Sequence, residues 1–252
     1  MKLLVINPNI SESVTTLIER EARLSLRAGA QLSMATAPFG VAYIETRAEA
    51  LIGGYATLGV AAERYPGHDA VVVAAFGDPG LAALREALPV PVVGLTEAAL
   101  MSACQLGGRF SIIAISQRIQ AWYRETVESH GLSSRLASIR ALDQPLPDIG
   151  NVQLDQGTRL IELAERAVRD DGADVLILAG APLAGLARDV ADRLPVPALD
   201  GVSCAIVQAQ ALVELGRGKG GVAKAGSYAP PPSKASLGLG DAMTALIGRQ
   251  PT

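Results

Sequence analysis

Residues 71–99 read VVVAAFGDPGLAALREALPVPVVGLTEAA, and residues 175–205 read VLILAGAPLAGLARDVADRLPVPALDGVSCA. Each stretch is an apolar run, a Gly/Pro loop, a Gly-Leu pair, an amphipathic helical pattern, and then Leu-Pro-Val-Pro opening a second apolar run. Gly80-Leu81 and Gly185-Leu186 are 105 residues apart, whereas Pro89 and Pro195 are 106 apart, so the second copy carries one extra residue in its helical region. The first apolar run has a fainter echo, with LLVINPN from Leu3 matching FSIIAIS from Phe110. Any two strand-helix units look broadly alike. The shared Gly-Leu and Leu-Pro-Val-Pro, in order and nearly in register, favour duplication over that competing account. A repeat of this length is too long for a solenoid period, so the chain reads as two duplicated α/β lobes.

The same alternation extends outward. Short apolar runs fall at Leu3 to Ile6, Ala70 to Ala75, Pro91 to Leu95, Phe110 to Ile115, Val175 to Leu178 and Val196 to Leu199. Runs without polar alternation suit parallel strands covered on both faces. Helix-length segments separate them: Val14 to Ala28, Ala50 to Tyr65, Gln117 to Ser129 and Leu154 to Arg169. Ser11 or Ser13 is placed to cap the first helix, and Gly131 to end the third. The βαβα order predicts an α/β fold of two pseudo-symmetric lobes, each with a mostly parallel sheet flanked by helices and with the site in the cleft between them. The first lobe is expected to comprise residues 1–98 plus 208–252, and the second residues 99–207. The segment from Gly216 to Leu239 is rich in Gly, Pro and Ser and reads as a flexible linker, ahead of a short helical pattern over Asp241 to Ile247.

Composition narrows the function. Of 252 residues, 49% are hydrophobic and 19% charged, enough apolar content for a sizeable core. Aromatics are only 4%, so the core is expected to be aliphatic. The net charge of −3 argues against a phosphate-dominated nucleic-acid surface. No apolar run approaches a membrane span, and the stretch MKLLVINPN is too short for a signal segment. Two cysteines make no disulfide framework, and His68 and His130 lack the spacing of a zinc site. GRGKGG from Gly216 lacks the Ser or Thr of a Walker loop, and Gly238 and Gly240 in SLGLGD follow a Pro run rather than a strand. Asn9-Ile10-Ser11 matches a glycosylation acceptor without a secretory context. The expectation is a cytoplasmic protein acting on a small molecule, with little to hold a metal and no nucleic-acid or membrane partner, and assembling as a homo-oligomer.

Ligands of open α/β sheets bind at the carboxyl ends of the strands. The repeat pairs Ala75 with Gly180, each at the elbow where a strand turns towards a helix. Backbone N–H groups at Phe76, Gly77 and Asp78, and at Gly180 and Ala181, are candidates to cradle a carboxylate or ring carbonyl.

Several motifs carry a family resemblance: INPN (Ile6 to Asn9), YIET (Tyr43 to Thr46), AAFGDPGL (Ala74 to Leu81), PVVGLTEAA (Pro91 to Ala99), GGRFSII (Gly107 to Ile113) and ILAGAPLAGL (Ile177 to Leu186). Together they resemble the aspartate/glutamate/hydantoin racemase superfamily, especially its hydantoin and allantoin racemase branch. The resemblance implies two facing lobes, no cofactor, and two cysteines across the cleft that remove and deliver a proton at the substrate's α-carbon. It places those cysteines at Ala75 and Gly180, whose side chains carry no proton. Two-base racemisation needs a titratable group near the carbon on each face. Hydrolytic or lyase chemistry at a ring carbon of a hydantoin-like cyclic ureide is therefore expected. The alternatives are a racemase or isomerase with non-cysteine bases, a cysteine-inactivated variant of one, and a non-catalytic small-molecule sensor.

Three residues are candidates for catalysis. Glu45 is a general base if desolvated, or a helix-start residue. Asp78 sits in the first elbow, with capping of the next helix as the favoured competing account. Cys204, near a helix start, is an activated thiol or a small buried residue. Asn7, Asn9, Thr46, Ser116 and Tyr123 join the elbow residues Ala75, Phe76, Gly77, Gly180 and Ala181 as candidates for substrate binding. Asn-Pro-Asn also suits a plain turn, and the Trp122-Tyr123 pair also suits a core. Glu97 is a possible second carboxylate or a helix-start residue, and Cys104 reads as structural.

Overall fold

The computed structural model describes residues 1–143, 149–216, 229, 232 and 234–248. All but the first residue of GRGKGG, and much of the Gly/Pro/Ser segment, lie outside the described residues. The first half runs β1 (Lys2–Asn7), α1 (Glu12–Ser25), β2 (Gln31–Thr36), α2 (Arg47–Arg64), β3 (Ala70–Val73), α3 (Leu81–Ala87), β4 (Val92–Gly94) and α4 (Leu95–Leu106). The second runs β5 (Phe110–Ala114), α5 (Gln120–Ser129), β6 (Leu136–Ala141), α6 (Val152–Asp171), β7 (Val175–Leu178), α7 (Leu186–Asp189), β8 (Ala198–Asp200) and α8 (Gly201–Gly216); α9 (Asp241–Ile247) follows.

Two four-stranded parallel sheets have the orders β2-β1-β3-β4 and β6-β5-β7-β8. The register confirms the duplication: Leu3 pairs with Ala70 as Phe110 pairs with Val175, and Val73 pairs with Gly94 as Leu178 pairs with Asp200. The central strands are buried almost throughout, which is why their sequences are unbroken apolar runs. The outer strands β2 and β6 were not expected. QLSMAT and LASIRA mix polar with apolar residues because each pairs on one side only and is partly exposed.

Helices cover both faces of each sheet. On the first sheet, α1 and α8 supply one apolar layer, while α2, α3 and α9 lie on the other side. On the second, α4 and α5 form one layer with Phe110, Ile112 and Ile177, and α6 and α7 the other. The helix after the last strand of each sheet thus crosses to its neighbour: α4 packs on β7 and β8, and α8 on β3 and β4. Buried Gln210 of α8 fixes this exchange, accepting from the Arg27 N–H and donating to the Ser25 carbonyl at the end of α1.

Local signals agree with these boundaries. Ser11 Oγ accepts from the Val14 N–H and caps α1, a contact typically worth about 1 kcal/mol. Gly131 follows α5 in the left-handed region, and α9 matches its expected span. The extra residue of the second repeat accompanies a shortened helix: α3 has seven residues, whereas α7 has four followed by a 3-10 turn.

Candidate active site

The chain leaves β3 at Ala74 and turns through Ala75, Phe76, Gly77 and Asp78 to reach α3. It leaves β7 at Ala179 and turns through Gly180, Ala181 and Pro182 to reach α7. Each elbow packs into the other lobe. Phe76 lies in the second-sheet cluster with Trp122 and Tyr123, its ring centroid 4.7 Å from that of Tyr123. Ala181 and Ala184 lie in the first-sheet cluster with Val14 and Ile18. The two elbows therefore meet the same junction between lobes from opposite sides.

The first elbow is tightly held. Gly77 has φ 97°, and a Cβ there would sit 2.2 Å from the Trp122 ring, so both backbone and space require glycine. Its N–H donates to Thr96 Oγ1, a partner not anticipated from the sequence. Asp78 is buried with φ 49°, and its N–H donates to the Ala75 carbonyl. The Asp78 carboxylate accepts the Thr96 and Glu97 N–H groups, each at 2.8 Å, closing the N-terminus of α4. Burial pushes this carboxyl up, the two amides and Thr96 pull it down, and Glu97 adds repulsion; the balance stands at about 6. Of the cradle expected at residues 76–78, the Gly77 and Asp78 amides are thus turned inward. Among the described residues, the Phe76 amide has no internal acceptor.

The second elbow has more room beside its glycine. Gly180 is half-buried with φ 111°, and a Cβ would meet only Pro182 Cδ at 3.6 Å. A larger residue has room there but a strained backbone. Among the described residues the amides of Gly180 and Ala181 have no internal acceptor, while Gln153 Nε2 holds the turn from behind by donating to the Pro182 and Ala184 carbonyls.

Around this junction the polar candidates separate. Asn7 is fully buried; its amide nitrogen donates to Asn9 Oδ1, the Ser11 carbonyl and Thr15 Oγ1, so it builds the turn into α1. Asn9 Oδ1 also accepts from the Ser11 N–H. Thr46 forms a capping box with Glu49 at the start of α2. Ser116 accepts from the Arg118 N–H at 3.2 Å. Tyr123 is 3% exposed, and burial, reinforced by Tyr43, Asp78 and Glu45, pushes its phenol well above the ordinary range. Glu45 is half-buried, and its charge adds to the upward push on both tyrosines. Cys204 packs in the first-sheet cluster, and burial pushes its thiol up to about 11 despite a hydrogen bond with Ser102. That is the reverse of the thiol activation considered from its place near a helix start. Glu97 pairs with Arg85. Among the described residues, no three His, Cys, Asp or Glu side chains converge to hold a metal, and no helix is long and apolar enough to cross a membrane.

The Asp/Glu/Hydantoin racemase description matches residues 3–209. A hydantoin racemase of Paenarthrobacter aurescens is 35% identical over 244 residues, spanning 94% of this chain and 100% of that protein. The structure of allantoin racemase from Klebsiella pneumoniae superposes with a TM-score of 0.90 at 32% identity, covering 96% of this chain and 98% of that one. Allantoin racemase from Pseudomonas fluorescens gives 0.87 at 32% identity, covering 94% and 100%. Each of these proteins is named a racemase, so the hydrolytic or lyase chemistry expected from the sequence has no support among them.

Proposed function

The chain belongs to the Asp/Glu/hydantoin racemase family, and from that premise we propose that it catalyses isomerase-type proton transfer at the ring carbon of a hydantoin-like cyclic ureide. The observation that carries this reading is the pair of mirrored elbows at one junction, with the Phe76, Gly180 and Ala181 amides left for carbonyl oxygens. The carbon at stake is flanked by a ring carbonyl, so the electron pair left on deprotonation delocalises onto oxygen, where backbone amides stabilise it. Ala75 and Gly180 bring no titratable side chain. Glu45, half-buried and two residues from Tyr43, takes the proton on one face, and solvent returns one on the other. Asp78, with both oxygens engaged at α4, shapes the elbow instead.

The test is incubation of an enantiopure 5-substituted hydantoin in deuterated water, against a protein-free control. Deuterium at C5 with loss of optical rotation is expected, and Glu45→Gln should slow it by about 100-fold or more. A ring-opened product without exchange would reinstate hydrolysis.

A second reading has its own support in Ala75 and Gly180: ligand binding without turnover. It predicts ligand-induced thermal stabilisation with no exchange, and Ala75→Cys combined with Gly180→Cys should then create exchange where none existed.

A further inference from the structure

The segment between β2 and α2 crosses from the first lobe onto the second. Ile44 inserts into the second-sheet cluster with Phe76, Trp122 and Tyr123. Its neighbour Tyr43 packs against the cluster on the other face, which includes Ile115 at the end of β5 and Leu183 in the second elbow. The capping box at Thr46 and the Arg47–Glu125 ion pair to α5 anchor the downstream end. Tyr43 is therefore held against the second lobe, one residue before Ile44 in the cluster that also takes Phe76 of the first elbow.

Its hydroxyl is fully buried and has no hydrogen-bond partner. Buried hydroxyls are nearly always paired, and an orphan of this kind costs roughly 1–3 kcal/mol. The position needs only an aromatic ring for packing, which phenylalanine would supply without that cost. We propose that the Tyr43 hydroxyl is a ligand-orienting donor, completed when a ring carbonyl of the bound cyclic ureide accepts its hydrogen bond. The inference rests on the hydantoin reading above. Burial together with the nearby Glu45 and Glu49 charges holds the phenol well above its ordinary range, so it stays protonated. Tyr43 thus donates a hydrogen bond and positions the ring, while Glu45 handles the proton.

The test compares the wild type with Tyr43→Phe, and with Tyr55→Phe as an exposed control, by calorimetric titration with 5-methylhydantoin and its 2-thio and 4-thio analogues. Ligand-free Tyr43→Phe should melt at the wild-type temperature or above, because an unpaired polar atom is gone. It should bind 5-methylhydantoin about tenfold more weakly. Sulfur accepts hydrogen bonds poorly, so one thio analogue should lose affinity for the wild type and much less for Tyr43→Phe; that coupling identifies the carbonyl. Equal binding by both proteins, or weaker binding coupled to neither analogue, overturns the inference alone. A wild type that binds none of the three ligands removes the hydantoin reading and this inference together.

Discussion

The first turns of α4 and α8 occupy equivalent places in the two lobes, and each is closed by a buried carboxylate, yet the carboxylate comes from different parts of the chain. In the first lobe Asp78 reaches over from the elbow to the Thr96 and Glu97 amides. In the second, Asp200 at the end of β8 serves the equivalent amides of Val202 and Ser203. The strand position equivalent to Asp200 is Gly94, where a Cβ would fall 2.3 Å from the Asp78 carboxyl carbon. A helix N-terminus buried between two sheets needs negative charge or acceptors. Duplication preserved that need and let the two copies meet it differently. The consequence lies in the elbows: the first is locked to the helix it caps, whereas the second is held at its Pro182 and Ala184 carbonyls by Gln153.

The largest effect should come from forcing the first lobe to abandon its solution. Gly94→Ala expels the Asp78 carboxylate and leaves two buried amides unpaired, for a loss of about 3–4 kcal/mol. In a chain of this size that is on the order of 10 °C in a thermal melt. Combining Gly94→Asp with Asp78→Ala installs the second lobe's arrangement in the first and should recover part of the loss. A Gly94→Ala protein melting with the wild type would break the comparison.

A smaller effect concerns pH. Asp78 stands at about 6 in the folded chain against an ordinary 3.8, so between these values the native state holds a proton that the unfolded chain has released. Its contribution is fully present below about 4 and is lost as pH rises through about 6. Burial raises Asp200 in the same direction, so that carboxyl adds to the slope. Urea melts from pH 4 to pH 7 should show stability falling across this window, and Asp78→Asn should flatten part of the fall while leaving that from Asp200.

The smallest effect sharpens the second lobe. Ser203 Oγ lies 2.7 Å from Glu21 Oε1 and 2.6 Å from Asp200 Oδ2. The single Ser203 hydroxyl proton is shared between these two carboxylates, which ties Asp200 to Glu21. Arg188 then pairs with the ionised Glu21 and holds it below its ordinary range against burial. Ser203→Ala should cost about 1 kcal/mol by denaturant titration, well short of Gly94→Ala.

The central strands and both elbows were legible because burial on two faces writes itself as unbroken Val, Ile and Leu, and because duplication repeats the turn residues. The outer strands β2 and β6 were not, since half-exposed edges admit Gln, Ser and Arg. At the site, sequence located the loops but not the partners of their polar groups. Asn7, Thr46 and Asp78 have the residue types of a binding site, and their side chains hold turns and helix starts instead. Tyr43 stood in a quoted motif without a role, because an orphaned hydroxyl is a property of packing, visible only once the second-sheet cluster it packs against is in place.

The exchange of α4 and α8 has an evolutionary reading. A half-length ancestor carrying one repeat would have left its third and fourth strands bare on one face, because the helix that covers them belongs to the other repeat. Such a chain completes its fold only by trading that helix with a twin.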